Sequence, residues 1–216
     1  MFSSFRLNTI SAGGAVAVAN GFIASASSTT STITIPSTAA AGQLAILFDF
    51  AYQSSTTFPS FTTPTGFTSN DTQGNASGNA VFCRVSYKKL VAGDPGSTIT
   101  GMTGSSGTAK TLLIYQFTAI NAIANAARTA SSSPSASTTL NLSGLTAPLL
   151  GYAVFNDSGT VPTPTNVSTA TRSFTVGTKQ RVYIWEALTS NTFSSYAVSA
   201  TNNINSVTLA SPLVIT

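Results

Sequence analysis

TITIPSTAAAGQLAILFDF, residues 32–50, sets the architecture of this chain. Thr32-Ile33-Thr34-Ile35 alternates polar with β-branched apolar residues, the period-two pattern of a half-buried strand. Pro36 ends that strand, because it cannot donate to a ladder. A turn of small residues closes at Gly42. Leu44-Ala45-Ile46-Leu47-Phe48 then runs apolar without a break, which predicts a short strand buried on both faces. The same order returns later: Thr139-Leu140-Asn141-Leu142 alternates, and Leu149-Leu150-Gly151-Tyr152-Ala153-Val154-Phe155 follows as the second core strand. Val161-Pro162-Thr163-Pro164-Thr165 stands where Thr63-Pro64-Thr65-Gly66 stood, and Val182 to Leu188 echoes Val81 to Leu90.

Outward from this stretch, Ala80 to Lys89 is an alternating strand, and Ala92-Gly93-Asp94-Pro95-Gly96-Ser97 is a strong turn signal. Thr98-Ile99-Thr100 alternates briefly, and Thr111 to Phe117 forms another core strand. Ala119 to Arg128 has the propensity for a short helix, weakened by Asn121 and Asn125. Short strands at regular intervals with Gly/Pro turns predict an all-β fold, an antiparallel, jelly-roll-like β-sandwich built from two similar halves. The expected domain spans 32–216, with half-repeats at 32–117 and 138–216 and a crossing segment at 118–137. Residues 1–31 read as an extended N-terminal arm. Its apolar part resembles a signal peptide loosely, but Asn20 and the glycines interrupt it. Within the arm, Ala15-Val16-Ala17-Val18 is the candidate docking strand, suited to adding to a neighbour's sheet. Ser25 to Ser31 reads as a linker.

Charged residues make up 6% of the 216-residue chain, against about 25% in ordinary proteins. Ser, Thr and Asn supply the polar surface, which suits tight assembly or sugar contact better than long-range steering. The net charge of +4 is scattered, and its largest cluster is Arg84, Lys88 and Lys89. This lacks the basic stripe interleaved with aromatics that nucleic acid requires. No apolar run approaches the length of a membrane span.

The chain has no histidine, so Ser-His-Asp and Cys-His schemes are absent. Cys83, the single cysteine, alternates with Val81 and Val85 and reads as a core thiol. Asp49 and Asp157 each follow a core strand and form the best carboxylate pair for a glycosidase, although each reads better as the cap of a strand-to-loop turn. Asn70-Asp71-Thr72 and Asn156-Asp157-Ser158 offer one carboxylate apiece, too few for calcium. Gly104 to Thr111 fails as a phosphate loop: Ala109 precedes the lysine, and a strand follows instead of a helix. No cofactor, metal or catalytic residue is expected. Trp185 reads as core. Phe58, Phe61, Phe193 and Tyr196 fall in loop or edge contexts and are the candidate surface contacts, or else plugs of the sandwich.

Ile35-Pro36, Ala41-Gly42-Gln43-Leu44-Ala45-Ile46-Leu47-Phe48, Pro64-Thr65-Gly66-Phe67 and Tyr87 to Thr100 together resemble β-sandwich modules of tailed-bacteriophage structural proteins. Gln43 replaces the usual acid of that pattern and Phe67 the usual tryptophan. The resemblance covers 32–117 and rests on turn and core residues. It implies a virion protein without cofactor or catalytic residues. The expectation is a non-enzymatic capsid decoration or fibre subunit, docked through its arm to other capsid or tail proteins. A symmetric homo-oligomer, such as a trimer, fits that setting. The alternative is a tail receptor-binding module that recognises a host surface glycan.

Overall fold

The computed structural model describes residues 21–55, 61–75, 80–104, 106–125, 129–133, 136–156, 163–193, 196–202 and 206–215. Every regular element among them is a β-strand. Seven strands build a first unit: β1 (Gly21–Ser28), β2 (Thr32–Thr34), β3 (Leu44–Gln53), β4 (Thr68–Asn75), β5 (Ala80–Lys89), β6 (Thr98–Thr100) and β7 (Gly107–Gln116). Their pairing is nested, β1 on β7, β2 on β6 and β3 on β5, all antiparallel. Such nesting is a hairpin ribbon rolled on itself, the jelly-roll wrap. It yields a large sheet ordered β1-β7-β3-β5-β4 and a two-stranded sheet β2-β6.

The second unit repeats the wrap. Its strands are β8 (Ile123–Asn125), β9 (Thr129–Ser133), β10 (Ala136–Asn141), β11 (Thr146–Asn156), β12 (Arg172–Val176), β13 (Gln180–Thr192), β14 (Ala197–Asn202) and β15 (Ser206–Ile215). β8 and β9 both pair with β15, β10 with β14, and β11 with β13. The order β12-β13-β11-β15 matches β4-β5-β3-β7 strand for strand. Single residues correspond as well. Gly42 N–H donates to Leu90 O and Leu90 N–H to Gln43 O; Gly144 donates to Phe193 and Phe193 to Leu145 in the same way. Asp49 lies in register between Arg84 and Lys110, and Tyr152 between Tyr183 and Ala210.

The two large sheets pack face to face. Leu44, Ile46, Phe48 and Phe50 of β3 meet Leu149, Ala153 and Phe155 of β11 in one core, with Phe50 and Phe155 stacked at 4.8 Å between ring centroids. Each outer face is roofed by the unit's own small sheet. Ala45 and Leu47 lie under Ile33 and Ile99, and Leu150, Tyr152 and Val154 lie under Leu140 and Val198. Both core strands are therefore covered on both sides, which explains their unbroken apolar runs. Cys83 is buried between Val81 and Val85 in the central core, as its alternation predicts. No helix among the described residues is long and apolar enough to cross a membrane.

Three boundaries differ from the sequence reading. Gly21–Ser28 forms β1, an edge strand along β7, so part of the expected arm and linker belongs to the sandwich. Phe22 anchors it, edge-on to Tyr115 at 5.7 Å. Ala15 to Val18 lie outside the described residues. The expected short helix at 119–128 is replaced over Ile123–Asn125 by strand β8, whose backbone is satisfied by Leu213 to Ile215. The partner of the Pro64–Phe67 turn is also shifted. Phe67 N–H donates to Pro64 O, and the matching bond joins Ala170 N–H to Val167 O, beyond the Val161–Thr165 stretch.

Candidate functional site

A cleft of about 710 Å³ opens on the first unit between the loop Phe61 to Phe67 and the strand-and-loop segment Ser97 to Thr103. Exposed threonines line both lips, among them Thr62 and Thr65 on one and Thr98, Thr100 and Thr103 on the other. Phe61 is half-buried at the rim, its ring 5.3 Å from that of Phe82.

Lys88 and Asp94 add a charge pair to the wall, with Lys88 Nζ 2.7 Å from Asp94 Oδ1. Asp94 also accepts Val91 N–H through Oδ2 at 2.7 Å. Partial burial pushes its carboxyl up, but the Lys88 hydrogen bond, the Val91 N–H and the Lys88 charge outweigh this and hold its pKa below the usual carboxylate value. Gly66 sits against the Lys88 side chain with φ +77°. A Cβ there would be strained and crowded at once, so the turn needs its glycine.

Both lips are tied to a buried charge cluster beneath them. Asp49 and Lys110 are fully buried, and Arg84 nearly so. Lys110 Nζ lies 2.9 Å from Asp49 Oδ1 and donates to Met102 O at 2.6 Å and Thr108 Oγ1 at 2.7 Å. Asp49 Oδ2 accepts Met102 N–H at 2.7 Å, which fixes the floor of the Ser97–Thr103 lip. Arg84 Nη2, 3.6 Å from Asp49 Oδ2, donates to Thr62 O at 3.2 Å and fixes the other lip. Burial pushes the Asp49 carboxyl up and the Lys110 ammonium down, and the attraction between them opposes both shifts. Lys110 Nζ thus donates two hydrogen bonds, and its 2.9 Å approach to Asp49 Oδ1 is an ion-pair contact without hydrogen-bond geometry. Gly101 makes the close approach work. A Cβ at that position would lie 2.5 Å from Asp49 Oδ2 and 2.7 Å from Lys110 Cε.

The second unit is built differently at the corresponding place. Register places Trp185 where the first unit has Ser86, Phe193 where it has Leu90, and Tyr196 where it has Ser97. Trp185 packs edge-on against Phe193 at 5.7 Å and Tyr196 at 6.1 Å, and its indole N–H donates to Thr169 Oγ1 at 3.0 Å. Ser199, the counterpart of Thr100, is bridged by Thr165, whose N–H donates to Ser199 O at 2.7 Å. The equivalent opening is shut.

The four candidate aromatics therefore do not form one surface. Phe61 lies at the cleft; Phe193 is 8% exposed and is a plug of the second unit instead of a surface contact. Tyr196, half-buried, closes the same plug and bonds Thr169 Oγ1 through its hydroxyl at 3.1 Å. Phe58 lies outside the described residues, as does Asp157. Asp49 is sealed under Gly101 and Met102 and cannot reach a sugar as an acid or nucleophile. Among the described residues no three His, Cys, Asp or Glu side chains gather as a metal site. Lys88, Asp94, Thr98 and Thr100 were legible only as turn and edge-strand residues. Comparison with protein-family models, with curated proteins and with solved structures gives no match to this chain.

Proposed function

We propose that this chain is a non-enzymatic structural protein of a phage particle, a decoration or fibre subunit displayed on the virion surface. The observation that carries the reading is where the motif residues of the resemblance fall. Gly42, Gly66, Gly93 and Gly96 all take positive φ, from +77° to +93°, so they form the corners of the first jelly roll. Ile35 and Phe67 lie in the core beneath those corners. The two units share one continuous core, which suits a stiff, repeated building element. Several of the few charges serve ties within the fold, Asp49 with Lys110, Asp94 with Lys88 and Glu186 with Arg172, in a chain whose polar residues are mainly hydroxyls and amides. Docking to the particle, in a symmetric homo-oligomer, is assigned to the residues that precede β1.

Immunogold labelling of intact particles tests this, together with quantitation of the chain in purified virions. Regularly spaced label and a fixed copy number per particle are expected. Synthesis of the chain during infection with none of it on purified particles would overturn the reading.

A further inference from the structure

We propose that the cleft of the first unit is a binding site for a neutral saccharide. The inference needs only the cleft and stands apart from the virion assignment. Its starting point is the comparison the molecule makes with itself. One fold occurs twice, and at the cleft wall one copy holds Tyr196 where the other holds Ser97; beneath that wall Ser86 and Leu90, both buried, stand where the closed copy has Trp185 and Phe193. A space left by loss of side chains alone would collapse, because surrounding groups relax into a void. Here the lips are held apart by the charge cluster, through Arg84 to Thr62 O and Asp49 to Met102 N–H. The second unit has no such cluster, since Tyr152, Tyr183 and Ala210 take those places. The open cleft is thus a supported, preorganised feature of one unit.

The lining specifies the ligand class. Exposed Thr65, Thr98, Thr100 and Thr103 present hydroxyls that both donate and accept. The Phe61 ring stands beside them. A sugar ring, apolar on its faces and hydroxylated at its edge, matches such a wall. Charge selects further. Lys88 is already paired with Asp94 at 2.7 Å, so the described lining of the cleft offers no unpaired cation to a phosphate or a uronic acid. The volume, about 710 Å³, lies inside the range of small-ligand pockets.

A polypeptide strand fits less well. Antiparallel alternation directs the main chain of Ser97, Ile99 and Gly101 at β2 and its flanks, so β6 turns only Thr98 and Thr100 toward the cleft. In the second unit that edge makes an isolated bridge and no ladder.

The test uses the full-length chain on an array of neutral and acidic oligosaccharides, with calorimetry on any neutral glycan retained. A synthetic library of extended uncharged peptides is run in parallel. Neutral glycans are expected to bind, and Ser97→Tyr, which copies the residue of the closed unit, should lower affinity by about tenfold or more with an unchanged melting temperature. Should Ser97→Tyr fail to fold, Thr100→Val and Phe61→Ala probe the same wall from outside the core, with the same loss expected. Absence of any neutral-glycan binding, preference for acidic glycans, or affinity unchanged in these variants would overturn the proposal. Peptide capture that the cleft substitutions abolish would overturn it in favour of strand addition.

Discussion

Asp49 and Tyr152 occupy one position in two copies of a fold, and the contrast shows what the charge cluster does. Tyr152 needs no partner charge to fill its place between Tyr183 and Ala210. Asp49 brings a carboxylate into a fully buried site, and Lys110 and Arg84 must follow it. Replacing such a cluster by apolar groups is often neutral, whereas removing one member strands a buried charge. The cluster is therefore weak evidence for stability; its distinctive product is the pair of bonds to Thr62 and Met102 that hold the cleft open. Asp49→Asn alone, which leaves Lys110 and Arg84 buried without their counter-charge, should destabilise the protein by about 3–5 kcal/mol. Asp49→Asn combined with Lys110→Met should cost clearly less than the two single changes summed. Urea denaturation of the four proteins in this cycle measures the coupling. Additive losses would mean that Asp49 and Lys110 do not act as a pair.

Among the elements, the turn Val91 to Ser97 carries the most testable electrostatics. Asp94 caps it through Val91 N–H and pairs with Lys88 across the cleft wall. Its carboxyl is held below the ordinary value of 3.8, so folding favours the ionised form. The stabilisation is complete above the unfolded-state value and is lost as pH falls through the lower folded-state value. Asp94→Asn removes this contribution. Melting temperatures should then differ between wild type and variant near neutral pH and converge as pH drops below 3.8. A constant gap across that range would show that the carboxylate's ionisation is not involved. Elements also divide by how far the sequence reveals them. β2, β3, β5, β7 and β11 follow from period-two alternation or an apolar run, because their side chains meet the core. β1 and β8 do not, since their apolar residues, Phe22, Ile23 and Ile123 among them, are only partly buried and fall in no period-two pattern. They are strands because β7 and β15 offer them unpaired edges, a tertiary cause that no local pattern carries. The cleft was hidden for a related reason. Threonine and serine are everywhere in this chain, and Ser97 gains meaning only when register sets it beside Tyr196.

At the scale of the whole molecule, the question is what welds two jelly rolls into one body. Phe48 of the first unit and Gly151 of the second stand at equivalent places, Phe48 in register with Val85 and Thr111 and Gly151 with Ile184 and Ser211. Two large side chains cannot share that spot. A Cβ on Gly151 would lie 2.4 Å from Phe48 Cζ and 2.9 Å from Cε1, so the glycine exists to receive the ring. Glycine inside a strand weakens it unless something packs closely there, and here something does. Further ties run alongside: Thr111 Oγ1 donates to Gln180 Oε1, Gln180 Nε2 to Phe48 O, and Tyr115 Oη to Glu186 Oε1. With the core shared, the two units should unfold in a single transition. Gly151→Ala should destabilise the whole by about 1–3 kcal/mol through overpacking, and Phe48→Leu in the same chain should recover part of that loss. Calorimetry and urea titration read both effects. Two resolved transitions in the wild type, or a Gly151→Ala variant as stable as its parent, would place the weld elsewhere than at this exchange of a ring for a missing side chain.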